Sequence, residues 1–289
     1  MSLPPAKSDW KLEEKHKKAL ISLLADDDDR VYHTVRETIL SYGPASSQWM
    51  REHLLSNDPI LRRRASEIVN YFARQDADTQ FLAFCLNQGE DSDLERGILL
   101  LARTQYPSIN PEAYSALLDD FAGELRERLD LSAPAGEVLR IINDYLFREL
   151  HFSGDDQGFC DPQTLYFNTV LDRRRGNPIN LCLLYLLIAR RLRLPVAGVG
   201  LPGDFLCRYQ SSRAEIYIDV FQGGRLMTKG ECIKQLLQLQ QRFEETSLVP
   251  VSARRILLRL CAQLHQIYNQ QKAPAQIERL QRYLVALAK

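Results

Sequence analysis

The sequence predicts an α+β chain that is predominantly helical, with one small antiparallel sheet set late in a run of amphipathic helices. Three observations carry this. Apolar residues recur at spacings of three and four through much of residues 10–131, the period of one helix face. Residues 179–192 are apolar on nearly every side (Leu181, Leu183, Leu184, Leu186, Leu187, Ile188), so this helix belongs inside a core. After Pro195 the pattern changes to short apolar runs broken by turn residues, which is strand composition.

The N-terminal helices come first. Leu20, Leu23 and Leu24 precede the acidic break Asp26-Asp27-Asp28-Asp29, and Val31, Val35, Ile39 and Leu40 follow it, giving two amphipathic helices around a turn. The acidic residues suit the positive end of the second helix dipole. Asn57 or Asp58 caps a further helix with Pro59 at its first position. Arg62, Ala65, Ile68, Val69 and Phe72 lie along it. A third copy of the pattern runs from Phe84-Cys85-Leu86 through Asp91-Ser92-Asp93 to Leu94, Ile98, Leu101 and Ala102. A leucine pair, an acidic turn and an arginine-bearing helix resemble HEAT-type repeats. Asn110-Pro111 opens another helix, to about Leu129.

Ser132-Ala133-Pro134-Ala135-Gly136 reads as a linker. Beyond it Val138, Ile141, Ile142, Tyr145 and Leu146 form an amphipathic helix, Phe152 to Pro162 a polar loop, and residues 163–174 a helix ending at Gly176. Strands are expected over Val196–Leu201, Phe205–Tyr209 and Glu215–Phe221, with a short fourth at Arg225–Met227. Thr228 and Glu231 make a capping box. Ser252 to Lys289 is a helical hairpin broken near Lys272-Ala273-Pro274 and resembles one tetratricopeptide-type unit. The expected organisation is a flexible N-terminus at 1–9, HEAT-like helices over 10–131 packed on a core at 136–248, and the hairpin at 249–289.

Composition excludes several classes. Lys+Arg 37 balances Asp+Glu 37, which argues against a nucleic-acid partner, since phosphate affinity leaves a basic excess. The clusters Arg62-Arg63-Arg64, Arg173-Arg174-Arg175 and Arg190-Arg191 read as solvated faces or local ion pairs. No run approaches the roughly 18 apolar residues that span a bilayer, and Met1 to Trp10 lacks the apolar stretch of a signal peptide. The cysteines are scattered with no CxxC pair, as in a cytoplasmic protein with reduced thiols. No HxH or HxxxH spacing occurs, so neither metal nor cofactor is expected.

Four blocks carry a family resemblance: Leu171-Asp172-Arg173-Arg174-Arg175-Gly176-Asn177-Pro178-Ile179-Asn180-Leu181, Leu192-Arg193-Leu194-Pro195-Val196, Gly200-Leu201-Pro202-Gly203-Asp204-Phe205-Leu206, and Tyr217-Ile218-Asp219-Val220-Phe221-Gln222-Gly223-Gly224. In this order and spacing they resemble the bacterial SirB N-terminal-type branch of the transglutaminase-like superfamily, most strongly over residues 136–235. The resemblance implies a transglutaminase-like (papain-like) core. It also implies a Cys at the start of the buried helix, a His on the following strands and an Asp beyond. A helix N-terminus favours thiolate, the His activates it, and the Asp orients the imidazole. Here the nucleophile position falls on Pro178 and the histidine position on Asp204; only Asp219 keeps the expected residue. Asp161-Pro162 is followed by Gln163 where the branch commonly has Asn-Ser.

Proline has neither thiol nor hydroxyl, so no catalytic role is expected at the remnant positions Pro178, Asp204 and Asp219. Cys182, one turn beyond Pro178, is a weak alternative nucleophile and reads better as a core residue; Cys207 reads as a half-buried strand residue, and Cys160 with His151 matches no motif. Asp204 and Asp219 could share a proton or hold a cation, though local backbone bonding is the plainer reading. The expected function is a non-catalytic binding or scaffold module, a pseudoenzyme. Its remnant cleft (Asn177, Asn180, Asp204, Asp219) would be the ligand site and a protein or peptide the partner. The alternative is a divergent hydrolase or acyl transferase using Cys182 or the Asp204/Asp219 pair.

Overall fold

The structure, a computed structural model, describes residues 14–87, 89–90, 92–155, 161–201, 203–238 and 248–289. The segment 1–9, Asp91, Cys160 and Pro202 lie outside the described residues. The chain divides into two compact units, residues 1–79 with 103–108, and residues 80–102 with 109–289. The expected linker at 132–136 therefore joins elements within the second unit.

The first unit holds α1 (Glu14–Leu24), α2 (Asp29–Ser41), α3 (Ser46–Arg51) and the beginning of α4 (Pro59–Asn87). The acidic break divides α1 from α2 as the pattern predicts. Asp28 caps α2 by accepting from Arg30 N, and Asp58 caps α4 by accepting from Ile60 N at 2.8 Å. Leu24, Val35, Ile39, Met50, Ile68 and Phe72 close one apolar core. Arg64 departs from the solvated reading. It is buried, donates to Leu24 O at 2.9 Å and Asp26 O at 2.5 Å, and lies 4.1 Å over the Tyr32 ring. The end of α1 leaves carbonyls without helical partners, and this guanidinium supplies donors for them. The third pattern copy also differs from a discrete helix pair, because α4 runs unbroken for 29 residues through Phe84-Cys85-Leu86.

The second unit takes up the end of α4 and α5 (Leu94–Gln105) as far as Ala102, and continues with α6 (Pro111–Arg128) and α7 (Ala135–Asn143). A π-helical turn, Asp144–Glu149, extends α7. The expected loop after it contains a two-residue strand, β1 (Ser153–Gly154), paired in parallel with β2 (Arg175–Gly176). Between them the expected helix splits into a 3₁₀ turn at Pro162–Leu165 and α8 (Phe167–Arg173), and Arg174 ends it in the left-handed region. Then come α9 (Pro178–Arg191), β3 (Val196–Leu201), β4 (Asp204–Gln210), β5 (Glu215–Asp219), β6 (Arg225–Met227), α10 (Lys229–Gln238), α11 (Ala253–Gln270) and α12 (Pro274–Ala288). This is the predicted class: mostly helical, with helices flanking a small antiparallel sheet.

The sheet is a meander in the order β3-β4-β5-β6. Helix α9 packs against β3 and β4 with every residue from Pro178 to Ala189 buried, which is why it carries no polar face. Helix α10 packs on β5 and β6, and Val199, Leu201, Leu206, Tyr217, Met227 and Cys232 form the core on its side. Covered on both faces, β4 reads as the continuous run Phe205-Leu206-Cys207 rather than alternating. Cys207, expected half-buried, is therefore fully buried. The capping box closes as expected, Thr228 N donating to Glu231 Oε2 at 2.7 Å and Glu231 N to Thr228 Oγ1 at 3.3 Å. After β5, Gly224 (φ +79°) passes so close to the Asn143 side chain that any Cβ would collide with it, and Asn143 Nδ2 donates to Gly224 O at 2.5 Å.

Candidate functional site

Three elements converge at the start of α9. Asn177 is its N-cap: extended, with Oδ1 accepting from Asn180 N at 3.0 Å. Pro178 takes the first helical position, where its fixed φ suits the helix and its missing N–H costs nothing. The β3–β4 turn brings in Gly203, at φ +72°, and Asp204. Helix α11 supplies the third wall. Its Arg259 donates to Leu201 O and Asp204 O, each at 2.7 Å, and stacks 5.3 Å from the Phe205 ring centre, so the guanidinium ties the turn to the helix. Burial holds the Arg259 guanidinium below its ordinary pKa.

A cavity of about 340 Å³ opens among these elements. Asn177, Pro178 and Ile179 line it from α9, and Gly203, Asp204 and Phe205 from the sheet. The α11 wall presents Arg259, Gln263, Gln266 and Gln270. Those four are spaced by four, three and four, a single polar stripe along the helix. Asn177 Nδ2 reaches Gln263 Oε1 at 3.5 Å, the edge of hydrogen-bond range. The stripe escaped the reading of the sequence, which saw in this hairpin only a tetratricopeptide-type unit. Its spacing was visible there, but not the surface it faces.

The sequence-derived candidates separate. Asn177, Pro178 and Asp204 meet at the cavity; Asn180 and Asp219 do not line it. Asn180 is fully buried and donates from Nδ2 to Thr164 O at 2.9 Å. Asp219, 2% exposed, accepts from Gln222 N at 3.1 Å, which secures the turn after β5. Burial raises the pKa of both Asp204 and Asp219. The Asp219 carboxylate raises that of Asp204 further, while the Phe205 N–H and Arg259 oppose the rise.

Cys182 has no exposed surface, and its Sγ donates to Phe205 O at 3.2 Å. Burial pushes its thiol well above the ordinary value, the reverse of what a nucleophile at a helix N-terminus requires. No histidine or cysteine lines the cavity among the described residues. Among those same residues no group of three His, Cys, Asp or Glu is placed to hold a metal ion, and no helix is long and apolar enough to cross a membrane.

A buried helix whose N-terminus faces an antiparallel sheet across a cleft is a transglutaminase-like arrangement, here with no Cys or His lining the cleft among the described residues. The chain belongs to the transglutaminase-like superfamily, whose model matches residues 112–262, just over half of it. A UPF0162 protein of Xylella fastidiosa is 32% identical over 176 residues, 59% of this chain and 63% of that protein. A UPF0162 protein of Pseudomonas aeruginosa is 32% identical over 195 residues, covering 64% and 68%. F-box only protein 21 of Mus musculus is 38% identical over 104 residues, 33% of this chain and 17% of that protein. The chain thus spans less than two thirds of the Xylella relative's length. No solved structure matches it.

Proposed function

We propose that this chain is a non-catalytic member of its superfamily, of the bacterial SirB N-terminal-type branch, acting in the cytoplasm as a binding module. In this reading the remnant cleft is the ligand site, and the HEAT-like helices and tetratricopeptide-like hairpin are accessory surfaces. One observation carries it: where a nucleophile would stand, Pro178 opens onto a cavity whose α11 wall carries the carboxamides of Gln263, Gln266 and Gln270. Gln263, Gln266 and Gln270 carry amide donors and acceptors along this wall, which suits a ligand with both, such as a peptide segment. Burying such a segment leaves few groups unmatched, which favours binding without any bond being broken.

Saturation-transfer NMR with a panel of N-acetylated, C-amidated tripeptides tests this. Specific transfer that disappears in Gln263→Leu/Gln266→Leu, with the fold retained by circular dichroism, supports the reading. Absence of transfer from every peptide removes the peptide ligand.

A second reading draws on the raised carboxyl pKa values: a divergent hydrolase or acyl transferase in which Asp204, its carboxyl pKa raised by burial, acts as general acid. It requires amide or ester hydrolysis that Asp204→Asn abolishes. The Cys182 version of that reading loses its support with the thiol's burial.

A further inference from the structure

A second cavity, of about 420 Å³, lies at the opposite end of α9. That is within the roughly 300–1,000 Å³ of small-molecule sites. Arg126, Leu129 and Leu131 line it from α6 and the segment after it, and Arg191, Leu192 and Arg193 from the end of α9. No carboxylate lines it among the described residues.

The three guanidiniums are not equivalent. Arg191 is committed elsewhere: two nitrogens bond Glu95 at 2.8 and 2.9 Å, and Nε bonds Asp119 at 2.6 Å. Arg126 gives one N–H to Arg191 O at 3.2 Å and is otherwise exposed. Arg193 is exposed, and no described residue pairs with its guanidinium. Asp130, which stands between the lining residues Leu129 and Leu131, accepts from Ser132 N at 2.9 Å and Oγ at 2.6 Å. Leu131, 60% exposed, adds apolar surface to the wall.

Basic residues beyond a helix end complement its dipole, and Lys272 holds the same left-handed place after α11. Capping therefore accounts for a positive charge at Arg193, but not for a cavity joining that charge to Arg126 and three leucines. We propose that this cavity binds an aliphatic carboxylate, with the head group between Arg126 and Arg193 and the chain against Leu129, Leu131 and Leu192. A bare anion would leave the leucines wet, and a neutral apolar ligand would desolvate Arg193 without a partner.

Arg193 also supplies a test insensitive to misfolding. It stands at φ +58° directly after the α9 cap, its N–H donating to Arg190 O at 3.1 Å and that of Leu194 to Ala189 O at 2.9 Å. Glycine is the usual residue in this motif. Arg193→Gly should therefore remove the charge without lowering the melting temperature. Decanoate titrated calorimetrically into the full chain at low ionic strength is expected to bind saturably. Arg193→Gly and Arg126→Gln should each weaken it about tenfold, the loss of one charge-assisted bond. Acetate and decanol should bind at least about tenfold more weakly than decanoate, each lacking one half of the recognition. No saturable decanoate binding, equal binding of decanol or acetate, or unchanged affinity in Arg193→Gly would overturn the proposal.

Discussion

The two ends of α9 solve opposite problems with the same buried rod between them. At the N-terminal end the helix starts with a neutral cap and a proline, and the carboxamides of α11 line a cavity there beside Arg259 and Asp204. At the C-terminal end charge does the work: Arg191 binds α9 to Glu95 on α5 and Asp119 on α6. The N-terminal cavity leaves hydrogen-bonding groups open to a ligand, whereas Arg191 uses its own up in fixing the helix. A helix whose middle has no polar face can carry chemistry only at its ends; here Arg191 anchors the C-terminal end, and the N-terminal end opens onto the remnant cleft.

Substitutions along α9 sharpen that contrast. The middle should be the most sensitive: Leu183→Ala, at a fully buried position, should cost about 2–5 kcal/mol in urea denaturation. At the anchored end, Glu95→Ala strips Arg191 of a two-point partner in a site where both side chains are largely buried. It should cost about 1.5–3 kcal/mol by the same measurement, since hydrogen bonds to charged groups are worth that much. At the open end, Asn177→Ala removes the cap and should cost only about 1 kcal/mol. A larger loss there than at Glu95 would break the comparison, because the open end would then be the anchor.

The carboxyl pair gives a pH signature for the same end. Asp204 and Asp219 have folded pKa values raised above their ordinary 3.8, so folding favours their protonated forms. Their contribution is fully present below that value and is lost as pH rises through the folded pKa. Asp219→Asn, which keeps the acceptor for Gln222 N, should therefore gain stability relative to wild type as pH rises from 3.8 towards neutrality. Denaturation midpoints across that range check the sign. A difference that does not change with pH would mean that Asp219 titrates alike folded and unfolded.

Much of the fold was legible because local signals agreed with tertiary ones. Asp28, Asp58 and Asn110 cap the helices their spacing announced, and the sheet strands fall close to the expected bounds. Where the reading missed, a long-range partner decided. Arg64 looked like one of three solvated arginines until the end of α1 came to lie beside it. Arg191 likewise looked like a local ion pair, but its acids lie on two other helices. The β1–β2 pairing was invisible because a two-residue strand has no periodicity to read. At the site, Pro178 and Asp204 were found from their places in a known motif order. Gln263, Gln266 and Gln270 belong to no such motif and were missed.

The sequence alone determined the helical and strand periods and the caps, and it placed Pro178 at the start of the buried helix and Asp204 at the start of a strand. These are local matters, settled by side-chain chemistry and spacing. Only the tertiary structure decided which candidates meet. It set Asn180 and Asp219 away from the cavity and brought α11 to line it. Depth of burial and contacts between distant segments depend on how the elements pack, and the spacing of residues along one chain does not carry that information.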